Sequence, residues 1–343
     1  MYTLRDVARL ANVSIATASA VVNNKGKVSD KLRQRVLRAM EGLDYHPDQV
    51  ARSLKVRRTH TLGMVIPDVT NPFFTDVMRG VEDEARRAGY SVIFCNANED
   101  RQVEQNHLAT LFSRRVDGVL ISPTDPLAAM DRLTRRRFPM VFFDRVPMGY
   151  SGPAVATDNV GASREAGRHL IKLGHKRIAI ISGRLNLSNA QHRLEGFRQA
   201  LQESDLPLPE EYVQTGDFRL ESGYECGKRL MQLPNPPTAI FCCNNKMTLG
   251  LMRALGELRI PCPQRVSVLG FDDFDWAANF SPRLTTVAQP TYEMGRRATE
   301  LLLQMIQSAK NGTEPHLCQV VVLRNELRIR DSTAPPFNAS IHT

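Results

Sequence analysis

Apolar residues repeat with a helical period over the first 45 positions of the chain. The first stripe, at i, i+3, i+4 and i+7, consists of Leu4, Val7, Ala8 and Ala11. Ser14 follows a break in this stripe and is a good N-cap for a second helix over 15–22. Ser29 precedes a third stripe formed by Leu32, Val36, Met40 and Leu43. The pattern predicts three short helices around one small core.

From residue 61 onward, short apolar runs alternate with amphipathic segments. The runs fall at 61–66, 91–94, 118–121 and 139–143, and then at 177–181, 239–242 and 266–270. Buried strands separated by helices predict parallel βαβ units, and two similar half-sets predict two lobes. The predicted fold class is therefore α/β, with an all-α headpiece before two doubly wound parallel sheets that face each other across a cleft.

The charge of the chain is concentrated at its N-terminal end. Residues 1–60 contain 12 Lys and Arg against 5 Asp and Glu, whereas the remaining 283 residues contain 33 against 31. A basic block of this kind is typical of a segment that neutralises nucleic-acid phosphates. A solvated basic face that binds nothing would have the same composition, so charge alone leaves both alternatives open.

Composition argues against several other classes of protein. The six cysteines are scattered without a CxxC pair, which favours reduced thiols. No apolar run approaches the roughly 20 residues of a membrane span, and the N-terminus lacks the apolar core of a signal peptide, so we expect a cytoplasmic protein. The eight histidines show no catalytic or metal spacing, and GxSxG, P-loop and HExxH motifs are absent. We therefore expect no enzyme activity, no bound metal and no cofactor.

The second predicted helix is rich in hydroxyl groups. Ser14, Thr17 and Ser19 supply short donors, and the backbone N–H groups of a helix N-terminus also suit phosphate. The same hydroxyls could simply face solvent.

Seven short motifs stand out in the first 54 residues: Leu4-Arg5-Asp6-Val7-Ala8, Val13-Ser14, Thr17-Ala18-Ser19, Val22-Asn23, Val28-Ser29, Leu43-Asp44-Tyr45-His46-Pro47 and Ala51-Arg52-Ser53-Leu54. In these motifs the segment resembles the DNA-binding headpiece of the lactose-repressor (LacI/GalR) family. The resemblance continues to about residue 332 and implies a body of the type I periplasmic-binding-protein kind. It implies that the second helix enters the major groove of double-stranded DNA.

The resemblance also implies which headpiece residues contact DNA. The base-reading positions are Ile15, Ala16 and Ala20, which can pack on thymine methyl groups but carry no hydrogen-bond code, so the operator sequence is not predicted. The remaining candidates in the headpiece are Thr3, Ser14, Thr17, Ser19, Asn23, Val28, Ser29 and Tyr45.

Residues 48–56 match the hinge helix of the family. Leu54 takes the position of the leucine that wedges into a central minor-groove step, where it would unstack and kink the duplex. Lys55 lies beside it, and the other hinge candidates are Arg52 and Ser53. Alternatively, Leu54 is a packing residue in an inter-domain linker.

Polar and aromatic residues follow the predicted strands of the body. These residues are Asn71, Phe73, Phe74, Asp144, Arg145, Arg193, Phe218, Asn244, Asp272 and Gln289. Ligands of such folds bind beyond the carboxyl ends of the strands, and aromatic faces with planar polar groups suit a sugar. Each residue also has an ordinary structural alternative: Asp144 and Arg145 could form an ion pair, the phenylalanines could be core, and Asn244 could be a turn or cap.

These ten positions resemble the ribose contacts of the periplasmic ribose-binding proteins. The resemblance implies a pentose effector, ribose first. Relatives often carry Asp after the asparagine, where this chain has Asn245, and we expect that position to stand outside the ligand set. A different small molecule or a protein co-effector remains possible for the same regulator, and a sugar-binding transport receptor is the alternative from another class.

We expect a repressor that binds a pseudo-palindromic operator as a homodimer, because the C-terminus has no leucine heptads for a tetramer. The sign of the effector's action is left open. The predicted divisions are 1–46 for the headpiece, 47–60 for hinge and linker, 61–332 for the body, and 333–343 for a disordered tail. Within the body, one lobe is predicted at about 61–160 with 292–321, and the other at about 161–291 with 322–332.

Overall fold

The structure, a computed structural model, describes residues 2–23, 26, 28–45, 58–125, 138–311 and 320–337. The chain divides into two compact units, Met1–Thr59 and His60–Thr343.

The described residues of the first unit form three helices. They are α1 (Leu4–Leu10), α2 (Ile15–Val22) and α3 (Asp30–Gly42). Their predicted apolar stripes meet in a core that buries Val7, Ala8, Ala11, Ala18, Val21, Val36 and Ala39. This small core is the one that the helical periodicity predicts, because each helix turns a single apolar face inward.

The ends of these helices are held by side chains that the sequence pattern identifies only in part. Ser14 Oγ accepts a hydrogen bond from Thr17 N at 3.0 Å, as expected of an N-cap. Ser29 occupies the N-cap position of α3, but its side chain makes no capping hydrogen bond to the described residues. Arg35 Nη2 donates to Ala11 O at 2.7 Å and to Asn12 O at 3.1 Å, which satisfies carbonyl groups at the end of α1.

The described strands of the second unit form two six-stranded sheets. Strands β1 (Thr61–Ile66), β2 (Ser91–Asn96), β3 (Gly118–Ile121), β4 (Met140–Phe143), β5 (Ala154–Thr157) and β11 (Val320–Leu323) form the first sheet, all parallel, in the order β11-β5-β4-β3-β1-β2. Helices α4 (Pro72–Arg87), α5 (Arg101–Ser113) and α10 (Thr291–Asn311) belong to this lobe, which is called the first lobe below.

The second sheet has the same arrangement. It contains β6 (Ile178–Ser182), β7 (Val213–Thr215), β8 (Ala239–Cys242), β9 (Ser267–Phe271), β10 (Thr285–Ala288) and β12 (Glu326–Arg328), in the order β12-β10-β9-β8-β6-β7. Only β12 runs antiparallel among them. The second lobe also has α6 (Asn159–Lys172), α7 (Ser188–Gln202), α8 (Leu220–Met231) and α9 (Asn245–Glu257), with 3-10 turns at Glu210–Tyr212 and Asp275–Ala278. The predicted fold class is confirmed.

The central strands are continuous apolar runs because helices cover both faces of each sheet. Every residue of β6, β8 and β9 is buried. Between helices, glycines allow close packing. A Cβ on Gly80 of α4 would lie 2.1 Å from Tyr292 O, and one on Gly295 of α10 would lie 2.1 Å from Val77 O. The late helix α10 therefore packs tightly against α4 and joins the first lobe.

Two predictions about the C-terminal segment need correction. The chain crosses between the lobes after Leu323, which still pairs with Thr157 in the first sheet, and not after residue 321. The predicted disordered tail begins too early: His169 Nε2 lies 3.0 Å from Thr333 Oγ1, and Ala334 N donates to Ser267 Oγ at 3.0 Å. Polar groups of the second lobe hold this segment, a pairing that the Pro-rich composition does not reveal.

Within the described residues, no helix combines the length and the apolar character needed to cross a bilayer. Cys95, Cys226, Cys242, Cys243 and Cys262 are free thiols. The same part of the chain has no group of three or more His, Cys, Asp or Glu side chains suited to a metal ion.

Candidate functional site: an interlobe cleft and a helical headpiece

A cleft with about 410 Å³ of empty space, part of it open to solvent, lies between the carboxyl ends of the two sets of strands. All ten strand-end residues predicted from the sequence line it: Asn71, Phe73, Phe74, Asp144, Arg145, Arg193, Phe218, Asn244, Asp272 and Gln289. The lining also contains four residues that were not predicted, which are Asp68, Glu99, Asn189 and Arg219. The topology therefore gathers positions that are up to 221 residues apart in the chain.

Two asparagines at the cleft are also helix caps. Asn71 Oδ1 accepts from Phe73 N at 3.0 Å at the start of α4. Asn244 Oδ1 accepts from Met247 N at 2.9 Å at the start of α9, and its Nδ2 donates to Phe218 O at 3.0 Å. Asn244 is thus both a helix cap, which is its ordinary structural alternative, and a residue of the cleft lining.

Three aromatic rings form the apolar part of the lining. Phe73 and Phe74 pack edge to face with ring centroids 4.9 Å apart. Phe218 has φ +68° and lies so close to Gly183 that a Cβ there would be 2.0 Å from the ring. Only glycine at position 183 leaves room for this ring, which can offer a face to a C–H-rich ligand.

Asp144 is buried and lies among cationic and amide groups of the opposite lobe. Asn189 Nδ2 lies 3.3 Å from each carboxylate oxygen, and Arg193 Nη2 lies 4.0 Å from Oδ1. Burial raises the pKa of Asp144, while Arg193 and Arg145 oppose that shift. Asn189 precedes Arg193 by four residues on α7, so helical spacing could have identified it.

Arg145 is hydrogen-bonded to Glu99, and not to Asp144, the partner in the ion pair that the sequence leaves open as an alternative. Its Nη2 and Nη1 donate to Glu99 Oε1 and Oε2 at 2.6 and 3.0 Å, whereas its Nε is 3.9 Å from Asp144 Oδ2. The guanidinium carbon lies 5.4 Å from the Phe218 ring centroid. Among the residues that the structure describes, Arg145 Nε has no hydrogen-bond partner.

Arg193 is fixed on three sides. Its Nε donates to Asn159 Oδ1 and its Nη1 to Cys243 O, both at 2.7 Å. The guanidinium carbon lies 3.7 Å from the Phe271 ring centroid. Nη2 is the nitrogen left to face Asp144.

Asp272 and Gln289 complete the lining. Gln289 Nε2 donates to Asp272 Oδ1 at 2.6 Å, and its Oε1 accepts from Thr157 Oγ1 of the first lobe at 2.7 Å. Burial raises the pKa of Asp272, with Arg193 and the Gln289 hydrogen bond opposing it. Gln289 therefore links a cleft carboxylate to the strand β5.

Direct hydrogen bonds also join the lobes at the rim. Lys246 Nζ donates to Asp68 Oδ2 at 2.6 Å and to Thr70 Oγ1 at 2.7 Å. Asn245 is buried, and its Nδ2 donates to Asn71 Oδ1 at 2.7 Å. Asn245 is not among the lining residues of the cleft, as expected of a position outside the ligand set, but its amide contacts Asn71, a lining residue of the other lobe.

The headpiece presents a mixed surface at the start of α2. Ile15 is 49% exposed, and Ser14 and Ala16 are also exposed. Ser14 Oγ and Thr17 Oγ1 lie 2.8 Å apart, so the two hydroxyls pair with each other. An exposed isoleucine and alanine beside a helix N-terminus can contact apolar base edges and phosphate.

The remaining headpiece candidates are distributed around this surface. Thr3 Oγ1 donates to Asp6 Oδ2 at 2.8 Å, and Asn23 Nδ2 donates to Ser19 O at 2.8 Å. Ala20 is partly buried, Ser29 is exposed, and Val28 and Tyr45 pack against the small core. The hinge candidates Arg52, Ser53, Leu54 and Lys55 lie outside the described residues.

Both units match known protein families. Residues 3–48 match the bacterial regulatory proteins of the lacI family, and residues 168–333 match a periplasmic binding protein-like domain. The ribose operon repressor of Escherichia coli (strain K12) is 37% identical over 321 residues, covering 93% of this chain and 96% of its own length. The HTH-type transcriptional repressor PurR of Histophilus somni is 36% identical over 339 residues, covering 97% and 99%.

Solved structures extend this similarity to the fold. The Lac repressor dimer bound to operator and the anti-inducer ONPF has a TM-score of 0.87 at 27% identity, covering 97% of this chain and 99% of that one. A LacI family transcriptional regulator from Enterococcus faecium with bound ribose has a TM-score of 0.69 at 32% identity, covering 80% and 99%.

Proposed function

The chain belongs to the LacI family of bacterial regulatory proteins and is a DNA-binding transcriptional repressor, and we propose that a pentose such as ribose controls its affinity for DNA. The observation that carries this proposal is the convergence of ten sugar-type side chains from both lobes on one cleft. Three phenylalanine rings suit the C–H faces of a sugar, and the amides and carboxylates suit its hydroxyl groups.

The relatives support the same effector class. One is named for the ribose operon, and a solved structure of a LacI family regulator contains ribose. The PurR relatives are similar to nearly the same degree, so an effector of another class is the second candidate. A protein co-effector that docks on the lobes would leave the cleft free of a small ligand.

We propose that a ligand acts by closing the cleft. Residues of both lobes face the same space, so a ligand that contacts both favours the closed arrangement over the open one. In a homodimer this rearrangement would reach the hinge around Leu54 and change how two headpieces engage a pseudo-palindromic operator through the candidates named above. In this proposal, ligand binding in the cleft is the signal, and the hinge around Leu54 couples it to DNA binding by the headpieces.

Isothermal titration of the full chain tests the effector. Ribose should give saturable heat, and arabinose, xylose, glucose and purine bases define the specificity. Asp272→Asn should weaken ribose binding at least about tenfold, since it removes a buried acceptor from the lining. Asp205→Asn is the matched control, because Asp205 is exposed and its left-handed backbone suits Asn equally well.

Absence of heat with every pentose would reject the proposed effector. Saturable heat with a purine base, and with no pentose, would favour the second candidate, an effector of another class. Selection of bound DNA from a random pool, with and without ribose, then reports the operator and the sign of the response together.

A further inference from the structure

A strained turn carries a carboxylate into the cleft. Asn98 and Glu99 follow β2 with φ +52° and +56°, two consecutive non-glycine residues in the left-handed region. The turn is held by Ala97 N donating to Ile66 O and by Glu99 N donating to Pro67 O, both at 2.8 Å. Strain of this kind persists where the surroundings enforce it, and it points to a required side-chain position.

The Glu99 carboxylate holds Arg145 in a bidentate pair. Its side chain is 5% exposed, and its two oxygens receive Arg145 Nη2 and Nη1 at 2.6 and 3.0 Å. Arg184 Nη2 of the opposite lobe lies 3.8 Å away. Both terminal nitrogens of Arg145 are therefore already used inside the protein, which removes the fork that would otherwise bind an anionic ligand.

Acidic side chains outnumber basic ones in the lining. They are Asp68, Glu99, Asp144 and Asp272, against Arg145, Arg193 and Arg219. Glu104 is buried nearby, where it accepts hydrogen bonds from Thr124, and adds a further acidic group. A phosphate or carboxylate entering this cleft would be desolvated next to an excess of acidic oxygens, which is unfavourable.

We propose that Glu99 is a specificity-determining residue, which by holding Arg145 and adding negative charge excludes sugar phosphates and sugar acids and keeps the cleft for uncharged polyols. This inference rests on the proposed function, since it takes the ligand of the cleft to be a sugar. It assigns a role in ligand choice to a residue that contacts Arg145 and lines the cleft.

Calorimetry with three matched ligands tests the role of Glu99. The wild-type full chain should bind ribose and bind ribose 5-phosphate and ribonate at least about tenfold more weakly. Glu99→Gln removes the charge and frees Arg145, so the ratio of dissociation constants for ribose 5-phosphate and ribose should fall about tenfold.

Three further variants separate charge from packing. Glu99→Gly also removes the carboxylate, and glycine suits the left-handed φ, so this variant covers the case in which Glu99→Gln does not fold. Glu99→Asp keeps the charge and should keep most of the discrimination. Glu203→Gln breaks the pair with Arg168 on the surface of the second lobe and should leave the ratio unchanged.

The possible results are distinct. Ribose binding with an unchanged ratio in both Glu99→Gln and Glu99→Gly overturns the role of Glu99 and leaves the proposed function intact. A wild-type protein that prefers either anionic ligand also overturns it. A wild-type protein that binds none of these three ligands and no other pentose rejects the proposed function, and the inference about Glu99 with it.

Discussion

Single residues in the headpiece do more than one task. Ser14 Oγ accepts from Thr17 N and pairs with the Thr17 hydroxyl, and the same residue is a candidate for phosphate contact. Ser29 also stands at an N-cap, but without a capping bond from its side chain within the described residues. Ser14 therefore forms a capping hydrogen bond, whereas Ser29 only occupies an N-cap position.

Replacing Ser14 with Ala should destabilise α2 by about 1 kcal/mol, since the backbone N–H of Thr17 loses its partner. Hydrogen exchange by mass spectrometry, without DNA, should show roughly fivefold faster exchange in peptides covering α2. Ser29→Ala is the control and should have a smaller effect on α3. Equal acceleration in the two variants would contradict the capping role.

Most elements follow from local pattern, whereas their packing depends on a few close contacts. Helices α4 and α10 are separated by more than 200 positions, yet they meet where Gly80 and Gly295 let backbones approach. A side chain at either position would enter a carbonyl oxygen of the neighbouring helix, which cannot move away without displacing the helix.

Gly80→Ala should destabilise the protein by about 3 kcal/mol, because its Cβ would lie 2.1 Å from Tyr292 O. Urea denaturation followed by circular dichroism measures the shift. Gly256→Ala in α9 is the control: apart from its chain neighbours and the backbone of its own helix, no heavy atom of the described residues lies within 4 Å of its Cβ position, so the higher helix propensity of Ala should stabilise by about 0.5 kcal/mol. A Gly80→Ala midpoint equal to that of the wild type would show that the helices can separate freely.

At the scale of the whole molecule, rim contacts hold the two lobes together. Lys246 bridges to Asp68 and Thr70, and Arg219 Nη2 donates to Asn98 O at 3.0 Å. These bonds join the two lobes directly, so they favour the closed arrangement of the cleft over an open one.

Lys246→Met should shift the ligand-free protein toward an open cleft and weaken ribose binding about fivefold, which corresponds to ~1 kcal/mol, the upper end of the range for exposed ion pairs, because this pair is partly buried. Small-angle scattering should show a larger radius of gyration. Lys228→Met, which removes a surface contact with Tyr224, is the control. An unchanged radius and affinity in Lys246→Met would assign the closure to other contacts.

The same bridge predicts a dependence on pH. Burial opposes ionisation of Asp68, but hydrogen bonds from Lys246 and Thr70 outweigh it and lower its pKa. The stabilisation is therefore present above the ordinary pKa of an aspartate and is lost as pH falls through the lowered value. In Lys246→Met the acid-side change in radius should be smaller than in the wild type.

The sequence alone predicts the three headpiece helices, seven of the twelve described strands and ten of the fourteen residues that line the cleft. Periodicity depends on which face of an element is buried, and βαβ topology brings polar strand-end residues such as Asn71 and Asp272 to one edge. Glu99 also follows a strand, β2, so the same strand-end pattern can identify it. By contrast, the role of Asn245 depended on the opposite lobe and could not be read locally.

Only the tertiary structure decides the partners. Asp144 and Arg145 are neighbours in sequence, yet Arg145 pairs with Glu99, which is 46 residues away, and Asp144 meets Asn189 of the other lobe. Side-chain pairing depends on the direction of each bond after the chain has folded, and adjacent residues at a strand end point in different directions. The pattern along the chain thus identified the sugar-type residues, whereas folding selected which of them neutralise each other and which remain for a ligand.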